Sequence, residues 1–114
     1  MHLDIFVVNG NEVIIMYFIS CFLRFSLNER LGVADIGSCR TFGYYKNREE
    51  AIEAVTKNCC DIQERIYQYA VIEYIPEGLY NVAQEQLFFQ WNDERKAFEP
   101  IEPLIDRGGN YTFG

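Results

Sequence analysis

The stretch RTFGYY at 40–45, continued by a mixed segment at 47–66 and by QYAVIEYI at 68–75, decides the fold of this chain. The first run is rich in aromatic residues, which favour a strand. The middle segment repeats apolar residues every three or four positions, the period of a helix that packs along one side. The last run is mostly apolar, which is typical of a central strand. The stretch therefore predicts strand, helix, strand.

The helical segment carries its own start and stop signals. Asn47 can cap the first turn, because its side chain can accept a hydrogen bond from a backbone N–H there. Asn58 interrupts the apolar stripe, and Asp61 begins a second capping signal. We therefore predict two helices, at 48–58 and 61–66, both on one face of the sheet.

The flanking segments add strands around this unit. An Asn-Gly pair between apolar runs indicates a hairpin turn, and the run that follows is long enough that we expect a bend or bulge. Strands are predicted at 3–8, 12–24, 86–91 and 96–101, loops at 26–39 and 79–85, and a turn at 92–95. The expected fold class is α+β: an antiparallel β-sheet with one or two short helices packed on one face. The many aromatic residues suggest that the other face packs on a second copy.

The length of 114 residues predicts a single domain, 1–114. Met16 lies inside a predicted strand and could itself begin translation, so 1–15 is treated as a candidate N-terminal extension strand. Residues 104–114, which include Gly108 and Gly109, are expected to form a tail that folds over a ligand site.

Charge limits the classes of partner. There are 17 acidic and 10 basic residues, for a net charge of −7. This balance argues against binding of long nucleic acid, which needs clustered cations, but a small anion needs only two or three arginines. The apolar run at 13–23 is shorter than the roughly 20 residues of a membrane-spanning helix, so no membrane partner is expected.

The cysteines and the histidine give little support for a metal site. The chain has four cysteines and one histidine, and no C-x-x-C pair. Cys59 and Cys60 are adjacent and therefore poor disulfide partners. We expect reduced thiols in a cytosolic protein.

No catalytic signature is present: we find no activated nucleophile, paired acid and base, phosphate loop or metal cluster. We therefore expect a protein that is not an enzyme and that has no catalytic residues, metal or cofactor. Aromatic rings that stack on a base and arginines that bind phosphate would suit ligand binding instead. The candidate ligand-binding residues are Arg30, Phe89, Trp91, Asn92, Arg107, Asn110 and Thr112. The alternatives are a core or interface role for Phe89 and Trp91, a solvated Arg107, and a turn-forming Asn92.

Several runs together resemble one family of small phage and prophage proteins. They are the runs at 40–45, 47–58, 61–64, 69–73, 77–80, 88–92 and 110–114. The family includes the Thoeris anti-defence sponges of the first kind, and the resemblance covers 16–114.

The resemblance implies a phage counter-defence (anti-Thoeris) protein acting in the host bacterial cytoplasm. Such a sponge binds a cyclic ADP-ribose variant made by a TIR-domain enzyme and holds it without degrading it. It implies a homodimer or a hexamer, with cyclic oligonucleotides as further ligands. The ligand would lie near a subunit interface, at Phe89, Asn92, Arg107 and Thr112. Two other functions stay open: a phage inhibitor that binds a host protein through an aromatic sheet face, and a small hydrolase.

Overall fold

The computed structural model describes residues 5–8, 11–28, 30–78, 82–104 and 110–112, with side chains from residue 15 onward. The expected α+β class is confirmed: a mostly antiparallel sheet carries one helix and a 3-10 turn, Cys59–Asp61. The elements in chain order are β1 (Ile5–Val8), β2 (Asn11–Phe22), β3 (Ser26–Asn28), β4 (Val33–Asp35), β5 (Cys39–Tyr45), α1 (Arg48–Thr56), β6 (Tyr69–Pro76), β7 (Glu85–Asn92) and β8 (Ala97–Ile101).

The main sheet has the order β1-β2-β6-β7-β8, and β5 also pairs with β2. Every pairing is antiparallel. β6 lies between β2 and β7, which confirms the predicted central strand. Val8 pairs with Asn11, as in the predicted hairpin, while the Asn-Gly pair itself lies outside the described residues. No helix among the described residues is long and apolar enough to cross a membrane.

The predicted irregularity lies where β2 meets β5. Ile19 pairs with Gly43, but the next residue, Ser20, pairs with Thr41. Phe42 is thus the extra residue, and it belongs to β5, whereas the irregularity was predicted in β2. Such a bulge increases the local twist of the strand pair.

The first predicted helix forms, and the second does not. Asn47 Oδ1 accepts a hydrogen bond from the Glu50 backbone N–H at 3.0 Å, as the capping signal indicated. The prediction of a helix at 61–66 is wrong, because Asp61, Glu64 and Arg65 have φ values of 53°, 50° and 62°. Such left-handed residues cannot continue a right-handed helix.

The prediction of a structureless loop at 26–39 is also wrong. β3 and β4 pair as a small antiparallel hairpin, in which Ser26 lies opposite Asp35 and Asn28 lies opposite Val33. The carboxylate of Asp35 accepts hydrogen bonds from the Arg24 guanidinium and from the Gly37 backbone N–H, which fixes the base of this hairpin.

The chain covers the first face of the sheet and part of the second. α1 buries Ala51, Ala54 and Val55 against the first face. On the second face, Ile36 and Tyr111 pack in a separate cluster with the residues Phe22, Val71 and Phe88. A second copy of the chain could therefore pack only on the part of this face that lies outside the cluster. That the chain forms such an assembly stays a prediction.

Candidate functional site

Two of the predicted site residues have structural roles in β7. Phe89 is only 3% exposed and lies in the core beneath α1. Asn92 Oδ1 accepts from the backbone N–H groups of Glu94 and Arg95 at 3.0 and 3.1 Å, and its Nδ2 donates to Glu99 at 2.7 Å. Asn92 thus holds the β7–β8 turn, as its turn-forming alternative indicated.

Thr112 lies on the second sheet face, where it binds a buried carboxylate. Glu73 in β6 has no exposed surface. Its oxygens accept from the Thr112 hydroxyl and backbone N–H, from the Tyr111 backbone N–H at 2.8 Å, and from Gln86 Nε2 at 2.8 Å. We call this group of four residues the Glu73 clasp. It fixes 110–112 to the centre of the sheet.

The remaining predicted residues are dispersed. Asn110 Oδ1 accepts from the Ala83 backbone N–H at 2.8 Å, beside the Glu73 clasp. Arg30 is exposed in the turn between β3 and β4. Arg107 lies outside the described residues. Within one chain, the structure brings Asn110 and Thr112 together on one face, whereas Trp91 packs with the cluster on the other face.

Trp91 lines an open, polar cavity. Its ring packs edge-to-face on Phe98, with centroids 5.1 Å apart, and it is half-buried. The cavity is an open groove of about 700 Å³ at the end of the sheet, which we call the Trp91 groove. Its lining residues are Asn58, Asp61, Gln63, Arg65, Gln68, Trp91, Asp93 and Lys96.

The turn after α1 shapes one wall of the Trp91 groove. Asn58 Oδ1 accepts from the Gln63 backbone N–H at 3.0 Å, and Asn58 Nδ2 donates to Asp61 at 3.2 Å. These side-chain hydrogen bonds compete with a helical backbone and favour a turn. The backbone N–H of Trp91 donates to the Gln68 carbonyl at 2.8 Å, which joins Gln68 to β7.

The charges in the Trp91 groove are mixed. Hydrogen bonds from Lys96 and Trp91 hold the pKa of the Asp93 carboxyl below its usual value, so Asp93 is anionic at neutral pH. Lys96 Nζ lies 2.9 Å from Asp93. Arg65 and Lys96 supply two cations, and Gln68 supplies an amide. The side-chain amides of Asn58 and Gln63 already hydrogen-bond within the protein. The lining thus offers one aromatic residue, two cations for an anion and one further amide.

Comparison with protein-family models, curated proteins and solved structures finds no match. The Trp91 groove is therefore interpreted from its own side chains. Sequence reasoning found Trp91 but missed Arg65, Gln68 and Lys96. The sequence signal that was overlooked is the run of polar residues after Asn58, which predicts a turn as readily as a helix.

Proposed function

We propose that this protein binds a nucleotide-type anion in the Trp91 groove and holds it without degrading it. One observation carries the proposal: an indole ring and two cations, Arg65 and Lys96, line the same open cavity. The family resemblance specifies the ligand as a cyclic ADP-ribose-type immune signal. The protein would then act as a phage anti-defence sponge in the host bacterial cytoplasm.

The chemistry of the lining fits such a ligand. Stacking of a base on an aromatic side chain contributes about 1–3 kcal/mol. Hydrogen bonds from a guanidinium or ammonium to phosphate are stronger than those between neutral groups. Ligand cavities typically have volumes of about 300–1,000 Å³, and the Trp91 groove, at about 700 Å³, lies within that range.

A sponge needs affinity and no turnover. The two carboxylates of the groove are already hydrogen-bonded within the protein: Asp61 accepts from Asn58, and Asp93 accepts from Lys96. A binding role requires no free general base. Slow ligand release would then set the affinity, as it does among most related complexes.

Calorimetry against cyclic ADP-ribose variants and cyclic di- and trinucleotides tests the proposal. We expect one ligand class to bind, and heating of the complex to release it unchanged. Cleaved ligand after heating would identify an enzyme, and absence of binding across the panel would overturn the sponge proposal.

Variants of the lining locate the ligand. We expect Arg65→Gln and Lys96→Gln each to weaken binding about 10-fold or more, because each removes charged hydrogen bonds. Arg95→Gln is the matched control: Arg95 lies in the same turn but outside the groove lining, paired with Glu99. Arg107→Ala tests the site implied by the resemblance. A loss of binding in Arg107→Ala alone would move the ligand away from the groove.

A protein-binding inhibitor is the second candidate, because part of the second sheet face exposes aromatic rings. Tyr44 is 52% exposed and its ring packs on Phe18 with centroids 5.6 Å apart. Exposed aromatic rings are enriched where proteins bind one another. If calorimetry shows no nucleotide binding, and Tyr44→Lys abolishes a specific host-protein pulldown, this second function replaces the first.

A further inference from the structure

The four cysteines fall into two groups by exposure. Cys21 is fully buried, and burial raises the pKa of its thiol. Cys39 is half-buried, and its Sγ donates to the Tyr111 carbonyl at 3.4 Å. Cys59 and Cys60, by contrast, are adjacent and both exposed. Only this adjacent pair offers two accessible thiols at one place.

Cys59 and Cys60 both line the same pocket. It has a volume of about 230 Å³, is separate from the Trp91 groove, and lies between β5 and the turn after α1. Its lining also includes the apolar residues Ile19, Phe42 and Ile62. The pair therefore lies beside apolar surface, where a soft metal ion bound to sulfur would be partly shielded from water.

The spacing of the pair disfavours a direct disulfide. Consecutive Cα atoms are about 3.8 Å apart, whereas disulfide-linked Cα atoms are usually about 4.4–6.8 Å apart. An ion between the sulfurs relaxes this constraint, because two metal–sulfur bonds of about 2.3 Å replace one S–S bond of about 2.05 Å. Cys59 and Cys60 are thus too close for an unstrained disulfide but can still bind one metal ion between their sulfurs.

We propose that Cys59 and Cys60 form a two-thiolate site for a soft monovalent metal ion, Cu(I). Both thiols lose a proton, and each sulfur donates an electron pair to the ion: Cu(I) plus two thiols gives a dithiolate complex and two protons. Soft thiolate ligands suit both Cu(I) and zinc, so the number of ligands decides between the two metals. Structural zinc sites need four ligands, and the described residues hold no cluster of three or more His, Cys, Asp or Glu.

Anaerobic competition with a chromophoric Cu(I) chelator tests this proposal on the full-length protein. We expect one Cu(I) per chain. Cys59→Ser and Cys60→Ser should each weaken Cu(I) binding about 100-fold or more, because a chelating pair becomes a single ligand. Zn²⁺ in the same assay should bind far more weakly. Circular dichroism confirms that each variant is folded.

Cys39→Ser is the matched control, since it removes a thiol outside the pair and should keep the bound Cu(I). Retention of Cu(I) by the double variant Cys59→Ser/Cys60→Ser would overturn the proposal. Loss of Cu(I) in Cys39→Ser with retention in the double variant would place the metal elsewhere. The assay contains no nucleotide, so its outcome is independent of the function proposed for the Trp91 groove.

Discussion

At the scale of single residues, Glu73 stands out because its charged side chain type is fully buried. Burying a carboxylate costs several kcal/mol unless hydrogen bonds compensate for the lost water. The Glu73 clasp supplies only donors: two backbone N–H groups, one amide and one hydroxyl. The oxygens of Glu73 accept all of these hydrogen bonds, and the segment 110–112 becomes part of the fold through them.

Because of the Glu73 clasp, we expect two substitutions of Thr112 to change the free energy of unfolding by different amounts. Thr112→Val removes the hydroxyl that donates to Glu73, whereas Thr112→Ser keeps it. We expect the valine variant to be less stable than the serine variant by about 1.5–3 kcal/mol, the range for hydrogen bonds to charged groups. Urea denaturation at neutral pH measures the difference. Equal stability of the two variants would mean that the hydroxyl contributes nothing.

Glu73 was visible in the sequence as the one charged residue in an apolar strand, but its partners were not. Thr112 was selected for ligand binding, and the structure uses it to bind Glu73. The pairing spans 39 residues, and no local pattern connects positions so far apart. The same limit explains why Arg65, from a distant part of the chain, was not predicted to lie beside Trp91 in the groove.

At the scale of elements, the sequence predicted a helix or strand correctly where neighbouring residues alone determine it. The cap at Asn47 and the central strand β6 both follow from residues next to each other in the chain. The second helix failed because Asn58 bonds to Gln63 and Asp61 and so favours a turn. The β3–β4 hairpin was missed because strands of three residues are too short to show an alternating pattern.

The β7–β8 turn predicts a particular response to acid. A hydrogen bond from Asn92, followed by one from Arg95, lowers the pKa of Glu99 below 4.5 in the folded state. A lowered folded-state pKa means that the stabilisation is present above the unfolded pKa and is lost as pH falls through the folded value. We therefore expect the turn to loosen only on the acidic side of pH 4.5.

An NMR titration of the Glu99 carboxyl measures this directly. Asn92→Ala should raise the Glu99 pKa toward its usual value, because it removes the largest cause of the shift. Lys57→Gln is a suitable control, since Lys57 pairs with Glu53 on α1 and not with Glu99. An unchanged Glu99 pKa in Asn92→Ala would show that Arg95 alone produces the shift.

At the scale of the whole molecule, the remaining question is how the second sheet face is completed. The chain covers part of it with Ile36 and Tyr111, while Tyr44 stays 52% exposed beside Phe18. We expect a homodimer or a higher homo-oligomer such as a hexamer, joined through this exposed part. Oligomers of soluble proteins commonly bury such apolar surface.

Light scattering coupled to size exclusion tests the assembly. We expect the mass of the native protein to be at least twice the 13.4 kDa of one chain, and Tyr44→Lys to shift it to the monomer, because a buried unpaired charge opposes association. Val82→Lys is the matched control, since Val82 is 70% exposed and lies outside both buried clusters. A monomeric native protein would contradict the expected assembly.

The Glu73 clasp also affects the order in which the chain matures on the ribosome. Glu73 is synthesised 38 and 39 residues before its partners Tyr111 and Thr112. During that interval Gln86 is the one clasp partner already made, so the nascent second sheet face keeps a charge that water must solvate. The clasp can therefore close only after residue 112 has been made, and a chain truncated before residue 111 would lack the two backbone N–H groups and the hydroxyl that bind Glu73.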